Sequence, residues 1–308
     1  MAFETFDTTK FRPAGLKMLK HATAVLAEYK AQNFVLTLRQ LYYQMFARGF
    51  IPENTFRAYK NLGTLIDSGR RRGLIDWAAI EDRDRNLAPP NAWTDAEHLM
   101  QNTPHWYKEN PWLEQRYRPE VWVEKVSLIS VVERGAYELR APYLACKGYL
   151  SQSEAYSAGK RLARMRQQGY EPVIFHLGDH DPSGIDMTRD NTERVSEYAG
   201  YQIELVRLGL NMDQVERYSL TPNYAKDTDS RFSDYLDTYG DESWELDALE
   251  PQVIMDLIKD ALQARIDQSK WDASMEQEEF ERNKLRAVAE YWDDALDAAE
   301  LARSEAEE

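Results

Sequence analysis

Apolar residues recur every three or four positions between Phe11 and Ala31, where Leu16, Leu19, Ala22, Val25, Leu26 and Tyr29 form one stripe and predict a first helix. Residues 32–37 read as a short extended connector. Thr37 is placed to cap a second helix, LRQLYYQMFARGF, which turns Leu38, Leu41, Tyr42 and Met45 to one side and ends at Gly49. Pro52 opens a turn, and Asn54 or Thr55 caps a third helix, TFRAYKNLGTLIDSGRRRG, that closes at Gly73. LIDWAAIED follows as a short strand or irregular segment. Helix, short strand, helix, turn, basic helix and extended piece is the order of a winged-helix module.

Residues 84–118 are rich in proline, asparagine and tryptophan, show no sustained period and read as an irregular connector. Period and length then alternate. Val121–Val123 reads as a strand, with a helix from near Val126 and Glu124 at the junction. APYLACKGYLS is strand-like, SEAYSAGKRLARMRQQG is helical, and PVIFHLGDHD is a strand that ends in acids. This alternation predicts a parallel α/β sheet, whose carboxyl edge binds ligands. Beyond residue 250, Val253, Ile254, Leu257, Ile258, Leu262 and Ile266 share one helical face. A further helix from about Ser274 is expected to pack through Phe280, Leu285, Val288, Tyr291, Trp292 and Leu296. The expected layout is 1–83, 84–118 as connector, 119–270 around the sheet, and 271–308 as an acidic helix.

A chain of 308 residues, 43% hydrophobic, holds two domains or one large one. No apolar run spans a bilayer, and MAFETFDTTKFRPAG lacks a signal-peptide core. Cys146 is the sole cysteine, which excludes a disulfide framework and a cysteine-built zinc site, and places the expected location in the cytoplasm. The net charge of −15 argues against a nucleic-acid partner until its distribution is considered. Residues 271–308 carry 13 acidic and 4 basic residues, whereas 39–72 carry 7 basic and 2 acidic. Arg57, Lys60, Arg70, Arg71 and Arg72 on the third helix suit phosphate contacts along a duplex. They equally suit a solvated face whose basic end complements the helix dipole.

In GDHDPSG, Asp179 and Asp181 sit two apart on extended backbone, so their carboxylates point to the same side and repel unless a cation lies between them. Glu124 would project from the same sheet edge. Three carboxylates with no suitably spaced histidine or cysteine make a hard oxygen site for Mg²⁺ or Mn²⁺, ions that act with substrate phosphates. That chemistry is phosphoryl transfer. Asp227, Asp229, Asp234 and Asp237 form another acidic group, read as structural or solvated. The Tyr42–Tyr43 pair, taken alone, reads as one core residue and one surface residue, because neighbours on a helix point about 100° apart.

VEK at 123–125, KGYLS at 147–151, GDHDPSG at 178–184 and SWELDAL at 243–249 resemble, in order and spacing, the Toprim region of the topoisomerase VI A subunit and the meiotic double-strand-break transesterase. The resemblance covers residues 37–260. It implies an α/β fold with an N-terminal winged-helix domain, a Toprim-like parallel sheet flanked by helices, and a helical C-terminal tail. Arg39-Gln40-Leu41-Tyr42-Tyr43 matches the family's arginine and tyrosine pair, with Gln40 where the family usually has an acid. The resemblance implies that Tyr43 attacks the scissile phosphate and stays linked to a 5′ end, and that Arg39 steadies the phosphate. It further implies that Glu124, Asp179 and Asp181 hold Mg²⁺ or Mn²⁺, with Glu124 also an acid or base, and that Lys147 joins the helix-three cations in binding double-stranded DNA. In that family one subunit's tyrosine meets the other's metal, so a homodimer is the implied active unit, and strand passage would need a separate ATPase subunit. Two other readings stand beside this one: a Toprim nuclease that hydrolyses DNA with metal-activated water, and a noncatalytic DNA-binding or partner-binding protein.

Overall fold

The computed structural model describes residues 3–81, 92–224 and 232–307. Its chain divides into two compact units, Met1–Asn86 with Pro119–Ala264, and Leu87–Arg118 with Arg265–Glu308.

The first unit begins with three helices, α1 (Pro13–Ala31), α2 (Leu38–Ala47) and α3 (Phe56–Arg71). Proline in the first turn starts α1, where its fixed φ fits and its missing N–H is not needed. Leu19, Ala22, Val25, Leu26 and Tyr29 are buried, while Leu16, expected on the same stripe, is exposed one turn before the packed face begins. At α2 the Thr37 hydroxyl accepts the Gln40 N–H at 3.2 Å and Gln40 Oε1 accepts the Thr37 N–H at 2.8 Å, a capping box that gives Gln40 its local role. Thr55 caps α3 by accepting the Ala58 N–H at 3.1 Å. The segment after α3 makes a 3-10 turn, Trp77–Ala79, and one parallel bridge between Leu36 and Ile80. Among the described residues no strand pair forms a wing.

The chain enters the second unit with helix α4 (Ala96–Trp106) and returns with strand β1 (Tyr117–Val123), followed by α5 (Ile129–Tyr137), β2 (Tyr143–Ala145), α6 (Gln152–Gln167), β3 (Glu171–Leu177), α7 (Pro182–Ala199) and β4 (Glu204–Gly209). The four strands form a parallel sheet in the order β2-β1-β3-β4. Val121, Trp122, Val123, Val173, Ile174 and Phe175 are all buried, as strands covered on both faces must be. Helices α6 and α7 cover the face that presents Trp122 and Ile174, through Ala155, Ala158, Leu162 and Val195. From β1 the chain moves outward to β2, and from β3 it moves outward the other way to β4. The crevice between the carboxyl ends of β1 and β3 is therefore a topological switch point.

Close approach of α6 and α7 depends on Gly159, where an added Cβ would meet Tyr198 Cβ at 2.5 Å and the Ala199 nitrogen and Val195 oxygen at 2.9 Å. Two of these three atoms are backbone and cannot swing aside. Gly159→Ala is expected to lose about 1–3 kcal/mol to overpacking, more than the helix propensity it gains of up to about 1 kcal/mol. Urea unfolding monitored by circular dichroism measures the difference.

The unit continues with α8 (Met212–Arg217), a two-stranded antiparallel ribbon of β5 (Asn223–Tyr224) and β6 (Glu242–Ser243) spanning helix α9 (Phe232–Tyr239), and α10 (Pro251–Gln263). Asp227 and Asp229 lie outside the described residues, as does the side chain of Asp234, and Asp237 is exposed. On α10, Ile254, Ile258 and Leu262 are buried, as their spacing predicts.

In the second unit α4 packs on α11 (Gln268–Glu290), and α12 (Trp292–Glu307) follows. Helix α4 falls in the stretch expected to be irregular. Asp95 caps it, accepting the His98 N–H at 2.7 Å, and Pro104 sits in its last turn, where its sequence signal reads as a breaker. The expected single C-terminal helix is broken at Tyr291. Its expected packing face is not buried: Phe280 is 57% and Tyr291 58% exposed, with Val288 and Leu296 also exposed. Trp271, Ser274 and Glu278 are buried instead, with the Trp112 and Trp271 rings 5.6 Å apart and the Glu278 carboxylate accepting the Glu109 N–H at 2.8 Å.

Candidate active site

The switch-point crevice gathers the acids that the sequence singles out. Glu124 follows directly on β1, and its Oε2 accepts the Asp179 N–H at 2.9 Å. Close approach here depends on Gly178, where an added Cβ would lie 3.1 Å from that same oxygen. Asp181 caps α7, its Oδ1 accepting the Gly184 N–H at 2.6 Å. Gly184 has no room for a side chain, since a Cβ would sit 2.2 Å from the Asp179 carbonyl oxygen.

Two further segments fix this loop, and neither has an assigned role in the sequence reading. Residues 244–247 are zipped onto it by paired backbone hydrogen bonds between His180 and Trp244, at 2.8 and 2.9 Å. Arg207 on β4 reaches under it and donates to the carbonyl oxygens of Gly184 (3.0 Å), Gly178 (3.1 Å), Asp179 (2.5 Å) and Leu210 (3.3 Å), and to the Thr188 hydroxyl (2.5 Å). A planar fork with several donors suits this multiple grip. The His180 ring bonds the Tyr235 hydroxyl at 2.8 Å, and burial pushes its pKa down to about 4, so it serves as a neutral packing group.

Lys125 is the hub. Its ammonium lies 2.7 Å from Asp179 Oδ2, 2.5 Å from Glu245 Oε2 and 3.0 Å from Asp247 Oδ2. Burial depresses that ammonium, but Asp179, Asp247 and Glu245 together outweigh it and hold its pKa well above that of an ordinary lysine. Burial pushes the Asp179 carboxyl up to about 8 against the pull of Lys125. It also raises Glu124, helped by the charge of Asp181 and opposed by the Asp179 N–H and Lys125. At Glu245 burial acts upward, and Lys125 and Arg39 outweigh it, bringing the carboxyl down to about 2.

Helix α2 meets this cluster from the three-helix segment. Arg39 lies 2.7 Å from Glu245 Oε2 and 3.7 Å from Asp247 Oδ2. Tyr43 and Glu245 line the same cleft, and the Arg39 guanidinium lies 5.9 Å from the Tyr43 ring centre. Burial, with the charge of Glu245 behind it, raises the Tyr43 phenol well above its usual value, while Arg39 and Lys125 pull the other way. Both tyrosines of the pair are buried, Tyr42 at 2% and Tyr43 at 8% exposure, which corrects the expectation of one core and one surface residue. The reason is that α2 is covered twice. The loop before α3 holds the Tyr42 hydroxyl, which donates to Asn54 Oδ1 at 2.9 Å and accepts the Thr55 N–H at 3.0 Å, and the Leu246–Ala248 turn packs on the other side. A cleft of about 810 Å³ opens here, lined by Arg39, Tyr43, Phe56, Asp181, Ser183 and Glu245 among others.

No protein-family model matches the chain, and no curated protein matches it. The chemistry therefore rests on the residues themselves.

Among the described residues no three histidine, cysteine or acidic side chains converge as a ready cation cage. Asp179 explains this, because its Oδ1 accepts the Leu246 N–H at 2.8 Å and its Oδ2 pairs with Lys125. Both of its oxygens are thus engaged by protein groups. Glu124 Oε1 and Asp181 Oδ2 have no protein partner among the described residues. Two carboxylates with water and substrate phosphate are a common set for Mg²⁺, so Glu124 and Asp181 fit such an ion.

The expected DNA-contacting cations divide. Arg57, Lys60, Arg71 and Lys147 are exposed. Arg70 donates to the carbonyl oxygens of Trp77 and Ile80 at 3.0 and 2.7 Å, and Arg72 pairs with Asp7 at 3.0 Å while covering the Phe11 ring. Arg70 and Arg72 thus anchor the end of α3 within the unit.

Proposed function

We propose that this protein breaks DNA by transesterification, with Tyr43 as nucleophile and a divalent cation held by Glu124 and Asp181. The observation that carries this reading is the shared cleft: Tyr43, Arg39 and Asp181 line one hollow at a sheet switch point. Arg39 lines the cleft, where its guanidinium can face a phosphodiester, and it pairs with Glu245. The Tyr43 phenol must lose its proton to attack, and water or hydroxide in the cleft would take it, because Glu245, held down to about 2 by Lys125 and Arg39, is too weak a base. The Tyr43 Oη–P bond forms, the P–O3′ bond breaks, and the 3′ oxygen leaves as an alcohol after taking a proton from water. The product carries a 5′-phosphotyrosyl linkage. Mg²⁺ or Mn²⁺ would neutralise charge on the non-bridging phosphate oxygens. The three-helix segment, read as a winged helix, offers Arg57, Lys60 and Arg71 to the duplex, and two chains acting together would break both strands. A separate ATPase subunit would supply strand passage.

One observation favours hydrolysis by a Toprim nuclease instead. Tyr43 is buried and its pKa raised, as suits a packing residue. Supercoiled plasmid incubated with the protein and Mg²⁺, then quenched with detergent, separates the two. Wild type is expected to yield protein joined to 5′ ends, and Tyr43→Phe and Asp181→Asn to yield none. Cleavage that persists in Tyr43→Phe, with free 5′ phosphates, defeats the transesterase.

A further inference from the structure

We infer that a second, smaller hollow beside Tyr43 takes one unpaired nucleobase, adenine by its chemistry, from the DNA held at the tyrosine. This deepens the transesterase reading and rests on it for placing DNA at Tyr43. The hollow has a volume of about 210 Å³ and lies between α2 and the segment that joins α8 to β5, within one compact unit. Tyr43, Asn54 and Asn223 border both it and the larger cleft, so the two are neighbours. Its volume is that of about seven waters at about 30 Å³ each, and below the roughly 300 Å³ at which sites for drug-sized ligands begin. A single planar ring system is the size that suits it.

Its lining names the ligand class. Tyr43, Phe46 and Tyr218 supply aromatic surface of the kind on which bases stack. Gln44 supplies the deciding observation. It is only 3% exposed, it borders this hollow, and its side-chain amide has no hydrogen-bond partner among the described residues, although its polar atoms are not sealed in protein. A buried amide without a partner is costly, and the hollow is where a partner can enter. Asn223 adds a donor, because its Oδ1 accepts from Asn54 and leaves its amino group without a partner among the described residues. No lysine or arginine borders the hollow, so a phosphate would find no counter-charge there. A planar amide that both donates and accepts matches adenine, whose N6 amino group donates and whose N7 accepts. The consequence for substrate is a preference for DNA with an unpaired adenine, the base that costs least to bring out of the stack.

Duplex oligonucleotides with one bulged adenine, guanine, cytosine or thymine, and a fully paired control, provide the test. Binding is read by fluorescence anisotropy at one fixed salt concentration and without divalent cation. The adenine bulge is expected to bind about tenfold more tightly than the thymine bulge or the paired duplex. Gln44→Leu and Ala47→Trp should each erase that preference, the first by removing the amide and the second by filling the hollow from an exposed position of α2. Ala47→Trp keeps the test decisive should Gln44→Leu fail to fold. Equal affinity for all four bulges, tightest binding of a bulge other than adenine, or a preference that survives both variants overturns the inference. Failure to bind any of the duplexes defeats it together with the DNA reading. The plasmid assay reports on Tyr43 separately: 5′ adducts without an adenine preference sink the base subsite alone, and an adenine preference without adducts sinks the transesterase alone.

Discussion

Lys125→Met is expected to destabilise the protein by about 3–5 kcal/mol at neutral pH, because it removes the ammonium shared by three acids and leaves them enclosed without it. Methionine matches the length of the lysine stem, so the loss reports on charge and not on a cavity. The pH dependence follows from the raised carboxyls. Burial already pushes Asp179 up to about 8, and the loss of Lys125 raises it further. A carboxyl whose folded pKa exceeds its unfolded value of about 4 favours the folded state when protonated, and that advantage is lost as pH rises through the window between the two values. Asp179 is protonated in both folded proteins between about pH 4 and 8, so its share of the deficit is flat across that window and grows above about pH 8, where it ionises in wild type and not in the variant. Adding Asp179→Asn to Lys125→Met should recover part of the loss, giving a coupling energy in a double-mutant cycle. Urea unfolding at about pH 7 and about pH 9 provides the measurement. A loss below about 1 kcal/mol at about pH 7 would mean that water reaches the cluster and already screens it.

Arg207→Ala is expected to cost about 3 kcal/mol and to abolish cleavage, although Arg207 does not line the cleft with Tyr43. The guanidinium is half-buried and supplies donors to the carbonyl oxygens of Gly178, Asp179, Gly184 and Leu210. Truncation leaves those acceptors unsatisfied beneath the loop that carries Asp179 and Asp181. Arg207→Lys should recover less than half of the stability, since a single ammonium on a flexible stem cannot reproduce the fork. Hydrogen exchange distinguishes this from general loosening. Amides of residues 178–184 should lose protection in Arg207→Ala while those of β1 keep theirs, and uniform loss across the sheet would refute a local role.

Local signals were enough to place the first three helices, the caps Thr37 and Thr55, and the strand ends bearing Glu124, Asp179 and Asp181, because each depends on neighbours within a few residues. The partners of the acids were not legible. Lys125 and Arg207 read as ordinary cations in sequence, and only folding brings Lys125 against Glu245 and Asp247, and Arg207 under the loop. Arg207 does carry a faint signal: an arginine in LVRLG, with apolar neighbours on both sides, enters a strand of a covered sheet, where a cation needs a buried partner. SWELDAL was noticeable as a motif, but the pairing of its glutamate with Arg39 depends on helix α2 lying above it. Helix α4 was hidden by Pro104. The exposed face of Phe280, Val288, Tyr291 and Leu296 shows that apolar helical spacing marks a face able to pack, without stating that anything covers it.

The turn that covers Tyr43 is encoded far downstream of it: Arg39 and Glu245 are 206 residues apart in the chain. At about 5–20 residues per second, a ribosome needs roughly 10–40 seconds to make that interval, and throughout it the apolar side of α2 has no lid. The three N-terminal helices are thus born with an uncovered seam, which a chaperone or the nascent sheet must shield. The chemistry of the cleft also cannot begin on an unfinished chain, because Glu245 is synthesised after Arg39, Lys125 and Asp181. Truncation before residue 245 removes the acid to which both Arg39 and Lys125 are paired, so a released fragment would present those cations and an open helix face together, a combination suited to sticking to nucleic acid without cutting it.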